Sequence, residues 1–161
     1  MSAKPIPGRQ TAAAEGDIVV FHIGMRINHY WALRNWLPVF QAMPRMLREL
    51  SRDKAAGLLG YRLLSGGPRI FYVVQYWESK EKLLAYAADQ DQLHRPAWTA
   101  FNRHARAGKG HVGIWHETYV VPAGSYEAIY TDMPAFGLAA ATGVIPVGRR
   151  GERAGDRLTA A

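Results

Sequence analysis

DIVVFHIGMRI, Asp17 to Ile27, is apolar and β-branched along almost its whole length. In a strand, side chains alternate between faces, so Val19, Phe21, Ile23, Met25 and Ile27 share one side. Ile18, Val20, His22, Gly24 and Arg26 share the other, with Asn28 just beyond. A strand apolar on both faces is covered on both faces. Helices of the same chain can cover one side of its sheet, and a second copy of the sheet is the economical cover for the other. The stretch therefore predicts a homodimer whose two sheets close into a barrel.

Working outward, HYWALRNWLPVFQAMPRMLRELSRD carries Trp36, Val39, Phe40, Met43, Met46, Leu47 and Leu50 at helical spacing. It predicts a first helix, bent or broken by Pro38 and Pro44. GLLGYRLLSG and PRIFYVVQYW, separated by turn residues, predict a hairpin. Ser79 supplies an N-cap for KEKLLAYAADQ, with Glu81 in the first turn. A second helical segment, DQLHRPAWTAFNRHARAG, follows from Asp91, and HVGIWHETYVV forms the fourth strand before Pro122 and Gly124. The order β, α, β, β, α, β is the ferredoxin-like α+β arrangement. Residues 17–138 form this domain, residues 1–16 are expected to be a flexible arm, and residues 139–161 a flexible basic tail.

The 161 residues amount to one domain with a substantial core. No apolar run is long enough to span a bilayer, and no secretory pattern opens the chain, so a cytoplasmic location is expected. Without cysteine there is no disulfide, thiolate metal site or thiol nucleophile. The net charge of +7 is spread thinly, with no basic stripe interleaved with aromatics, so no specific nucleic-acid partner is expected. No H-E-x-x-H spacing, G-x-G-x-x-G or Walker sequence is present, and no protein-bound metal is expected.

VVFHIGMRIN, LPVFQAMPRMLREL, QYWESKEKLLAYA, HRPAWTAFNR and GIWHETYVVPAGSYEAIY together resemble a widespread bacterial family of unknown function, often labelled monooxygenase-like, within the dimeric α/β-barrel superfamily. The resemblance covers roughly Gly16 to Leu138. In the wider superfamily, a strand ending in Trp-x-Ser, a following helix and a histidine in its second half recur in antibiotic-biosynthesis-type and haem-degrading oxygenases. Trp77, Ser79 and His94 match that pattern. The resemblance implies a pocket between sheet and helices for substrate or haem, and an asparagine reaching into it from the first strand, where Asn28 is the nearest counterpart. It also implies a haem-dependent lyase of the aldoxime-dehydratase type as an alternative.

Candidate site residues follow from both readings. His94 is a general base or, if haem is the cofactor, its axial ligand. His116 and Glu117 are adjacent on the fourth strand and so face opposite ways. One looks into the helix-covered pocket and the other into the dimer barrel, and Glu117 is expected to bond across the dimer interface to an Arg or Tyr. His22 shares a face with Arg26 and Asn28, predicting a polar pocket floor. Trp77, Tyr86, Trp98 and Trp115 are core aromatics that also suit a flat, hydrophobic or aromatic ligand. Such a ligand can be oxygenated without a bound cofactor once a base removes its proton. The expected function is a small monooxygenase-like oxidoreductase acting on an aromatic or polycyclic molecule, with a haem-binding protein or a non-catalytic binding module as the rivals.

Overall fold

A computed structural model describes residues 4–88 and 110–158. In chain order the elements are β1 (Ile6–Ala12), β2 (Ile18–Ile27), α1 (Leu33–Leu50), β3 (Leu58–Ser65), β4 (Ile70–Trp77), α2 (Lys80–Ala88), β5 (Val112–Val121), β6 (Tyr130–Met133), α3 (Leu138–Thr142), β7 (Val144–Pro146) and α4 (Ala154–Arg157). A four-stranded sheet has the order β3-β4-β2-β5, every pair antiparallel. With α1 between β2 and β3, and α2 opening the crossover from β4 to β5, this is the expected ferredoxin-like α+β topology. The second helical segment expected from Asp91 lies outside the described residues.

The doubly apolar stretch becomes β2, in the middle of the sheet, bonded to β4 on one side and β5 on the other. The hairpin forms as expected, its turn closed by Gly66 N–H donating to the Ile70 carbonyl at 3.0 Å. Ser79 Oγ accepts from the Lys82 N–H at 3.2 Å, capping α2. Of the two outcomes expected at Pro38 and Pro44, a break does not occur, and α1 continues for 18 residues through both.

Two core clusters fix α1 over the sheet. Near its start, Trp36 and Val39 pack against Met25, Ile27 and Val112. At its end, Leu50 is buried with Val19, Trp77 and Leu83. Both clusters lie on the Val19–Ile27 face, so this is the helix-covered side.

The ends of the chain differ from the sequence expectation. Instead of a loose arm and tail, β1 pairs with β6 and with β7 in a second, three-stranded sheet. Thr11, 3% exposed, donates its hydroxyl to the Ala128 carbonyl at 2.6 Å. The Arg157 side chain is 5% exposed and meets Glu127 Oε2 at 2.8 Å, while Arg9 reaches Glu152 at 2.6 Å. These ion pairs neutralise the charges that made both ends read as solvated.

The second sheet and α3 cover part of the opposite face of the main sheet. Ala12, Ala14, Ile18, Leu138 and Ala139 form one buried cluster, flanked by Val20, Tyr76 and Val121. A Cβ on Gly60 would lie 2.9 Å from that of Ala141, so glycine is what allows α3 to sit so close to β3. The outer face that the sequence assigns wholly to a second copy is thus partly covered by the chain itself.

Candidate functional site

Between the two clusters that hold α1, helix and sheet stand apart and leave a cavity of about 720 Å³. The sheet wall carries Phe21, Ile23 and Met25 from β2, Phe71, Val73 and Gln75 from β4, and Ile114, His116 and Thr118 from β5. Val39, Phe40, Met43 and Leu47 of α1 face it, and Leu83 and Tyr86 of α2 close one side. Among the described lining residues there is no Asp, Glu, Lys or Arg. Such a lining suits an uncharged, largely apolar occupant held by few polar contacts.

Strand register decides where each candidate stands. Ile23 pairs with His116, so His116 shares the cavity face, and its ring lies 5.9 Å from that of Phe21. His22 pairs with Glu117, which places both on the outer face. There His22 Nδ1 lies 4.0 Å from Glu117 Oε2, and the Tyr119 hydroxyl donates to the same carboxylate oxygen at 2.8 Å. That hydrogen bond and the adjacent negative charge hold the Tyr119 phenol above its ordinary pKa. Glu117 has its tyrosine partner within one chain, two residues away.

The polar floor expected from His22, Arg26 and Asn28 does not line the cavity. Arg26 bonds to Asn28, and Asn28 Nδ2 donates to the Gly110 carbonyl at 2.8 Å, so both close off the end of the sheet. Trp115 also stands on the outer face, its ring against Tyr72 at 5.9 Å and close enough to Gly24 that a Cβ there would be 2.8 Å away. Trp77 is fully buried behind the cavity wall, and Tyr86 lines the cavity as expected. His94 and Trp98 lie outside the described residues. The cavity therefore brings together His116 and Tyr86, and leaves His22, Arg26, Asn28 and Trp115 elsewhere.

Asn35, Ser65, Gln75 and Thr118 are polar lining residues that sequence reading did not place at the site. The signal for Gln75 was its parity, since in PRIFYVVQYW it shares a face with Val73 and Trp77. His94, the expected haem ligand, lies outside the described residues. His116 is the one imidazole on the described lining, and no lysine or arginine there could meet the two propionates. Among the described residues no group of three or more histidines and carboxylates could hold a metal ion. No helix among them is long and apolar enough to cross a membrane.

The family model described as monooxygenase af470-like matches residues 18–138. Monooxygenase af470 of Aspergillus fumigatus (strain ATCC MYA-4609 / CBS 101355 / FGSC A1100 / Af293) is 30% identical over 140 residues, covering 79% of this chain. The chain spans about half of that relative, 48% of its length. Among solved structures, the cofactor-independent oxygenase SnoaB from Streptomyces nogalater is 15% identical with a TM-score of 0.41, covering 64% of this chain and 91% of that one. A dimeric ferredoxin-like protein from an uncultured marine organism is 14% identical with a TM-score of 0.45, covering 68% and 90%. Both scores lie below 0.5 and neither likeness bears on the assignment. The family match takes in β2 through β5 and with them every sheet wall of the cavity, so the chain belongs to the monooxygenase af470-like family.

Proposed function

We propose that the protein is a monooxygenase-like oxidoreductase that takes an aromatic or polycyclic small molecule into the cavity between the sheet and α1. The observation that carries this reading is the pairing, among the described lining residues, of an uncharged, aromatic-rich surface with one accessible imidazole, His116. Apolar walls favour a flat conjugated molecule and exclude water around it. His116 is the group able to take a proton from an acidic carbon or hydroxyl of such a molecule.

The resulting carbanion is itself the reductant. A ring methylene then reacts with molecular oxygen to give a carbonyl and water, one oxygen atom going to each, with all four electrons supplied by the substrate. The protein needs to supply a base, hydrogen-bond donors for the developing oxyanion and a dry site. A homodimer belongs to the same proposal. The outer face left free by α3 carries His22, Trp115, Glu117 and Tyr119, a mixed aromatic and polar surface suited to an isologous contact.

The test is oxygen uptake with a panel of polycyclic phenols and ring-methylene ketones under labelled dioxygen. The reading expects one labelled atom in the product and loss of uptake in His116→Phe. Binding of the panel without oxygen consumption would favour a non-catalytic binding module instead.

A further inference from the structure

We propose that Gln75 is the hydrogen-bond donor that selects an oxygen-bearing ligand in this cavity; the inference rests on the cavity being the ligand site. Gln75 lies on β4, on the face it shares with Val73 and Trp77, and is 6% exposed. Trp77 is 0% exposed, and its Nε1–H donates to Gln75 Oε1 at 2.9 Å. An indole N–H only donates, so the carboxamide oxygen must face Trp77 and the orientation of the amide is fixed by chemistry. Its two N–H donors are turned away from Trp77, on a side chain that lines the cavity.

Among the described residues nothing accepts from Gln75 Nε2, and Trp77 is the single side-chain hydrogen-bond partner of this glutamine there. Its cross-strand neighbours are Phe21 of β2 and Tyr61 of β3, and Leu83 and Tyr86 line the same cavity. A nearly buried amide donor in an apolar wall is costly unless an acceptor arrives, and an occupant of the cavity can bring one. A carbonyl, phenol or enolate oxygen supplies it.

Register adds a length. Phe21 of β2 pairs with Gln75 on one side and with Thr118 on the other, while His116 pairs with Ile23 one step along. Gln75 and His116 are thus separated by two strand spacings across and two residues along, about 12 Å at the backbone. A ligand meeting both places its acceptor oxygen across a conjugated system from the position deprotonated at His116. Charge created at one end is then delocalised to the oxygen held at the other. The substrate class is an extended conjugated phenol or enolisable ketone.

The experiment compares 2-naphthol with naphthalene, binding to the full chain being followed by calorimetry. Wild type is expected to prefer 2-naphthol by ~10-fold, the value of one added hydrogen bond. Gln75→Met preserves size and removes the donors, so naphthalene should bind as in wild type and the preference should vanish. Gln75→Glu keeps an acceptor for Trp77 and serves if the methionine variant does not fold. Its affinity for 2-acetylnaphthalene, a ketone that can only accept, should fall as pH rises and the carboxyl ionises, while naphthalene binding stays flat. Equal preference in wild type and variants overturns the role of Gln75 and leaves the cavity as a ligand site. If neither probe binds wild type, the cavity reading falls and this proposal falls with it.

Discussion

His116 and Glu117, consecutive on β5, serve opposite sides of the sheet. The His116 ring stands in the cavity wall 5.9 Å from Phe21, while Glu117 accepts from Tyr119 at 2.8 Å on the outer face. A direct dyad is excluded by the alternation of the strand. His116 lines the cavity, and Glu117 lies on the opposite face of the sheet.

His116→Phe should therefore separate chemistry from folding. The residue is exposed, so the change in stability should stay within about 0.5 kcal/mol. Turnover should fall by about 100-fold or more, the usual contribution of a positioned base. Matching melting curves alongside oxygen-uptake rates check both halves.

Filling the cavity should do the reverse to binding without touching the base. Ala42 of α1 lines the space, and Ala42→Phe adds a ring where the ligand is expected. Affinity for 2-naphthol should fall at least tenfold, and stability should hold or rise because a void is occupied. Calorimetry and thermal melting on the same sample read the two effects.

The C-terminal segment should prove structural. Deleting residues 147–161 removes Arg157, which leaves Glu127 without its partner, and removes buried Val147. A loss of about 2–4 kcal/mol is expected in denaturant titration. Arg157→Ala alone should cost about 1–3 kcal/mol through the same carboxylate.

Alkaline pH should weaken the contact between the two sheets. Burial raises the Tyr76 phenol above its ordinary pKa, as does the neighbouring Tyr130, while a hydrogen bond at Leu138 opposes the shift. Tyr130 is likewise raised by burial, opposed by its bond from the Ala139 N–H. A raised folded-state value stabilises the neutral phenols below the unfolded value near 10, a gain lost as pH climbs through the folded value. Stability should fall in that alkaline window, less steeply in Tyr76→Phe, by denaturant titration at stepped pH.

The sequence carried the main sheet well, because β2, β4 and β5 are long, continuous apolar runs and Ser79 caps α2 as its position suggests. It did not reveal the second sheet. IPGRQTA, YTDM and VIP are short and rich in Pro, Gly or charge, and become strands only because β1 pairs with partners more than a hundred residues away. The site was legible in parity but not in sidedness. Alternation separated His116 from Glu117, yet only the packing of Trp36 and Leu50 of α1 shows which face is covered. His22, Arg26 and Asn28 looked like a pocket floor because three polar residues on one face invite that reading, whereas they face outward or cap the end of the sheet.

The central claim is that the ligand sits between α1 and the His116 face of the sheet, and methyl NMR of labelled protein titrated with 2-naphthol tests it most directly. The account predicts saturable shifts at Ile23, Leu47, Val73 and Ile114, with Val20 and Leu138 of the opposite face unmoved. Shifts confined to Val20 and Leu138, or no saturable shift at the cavity methyls, would contradict it.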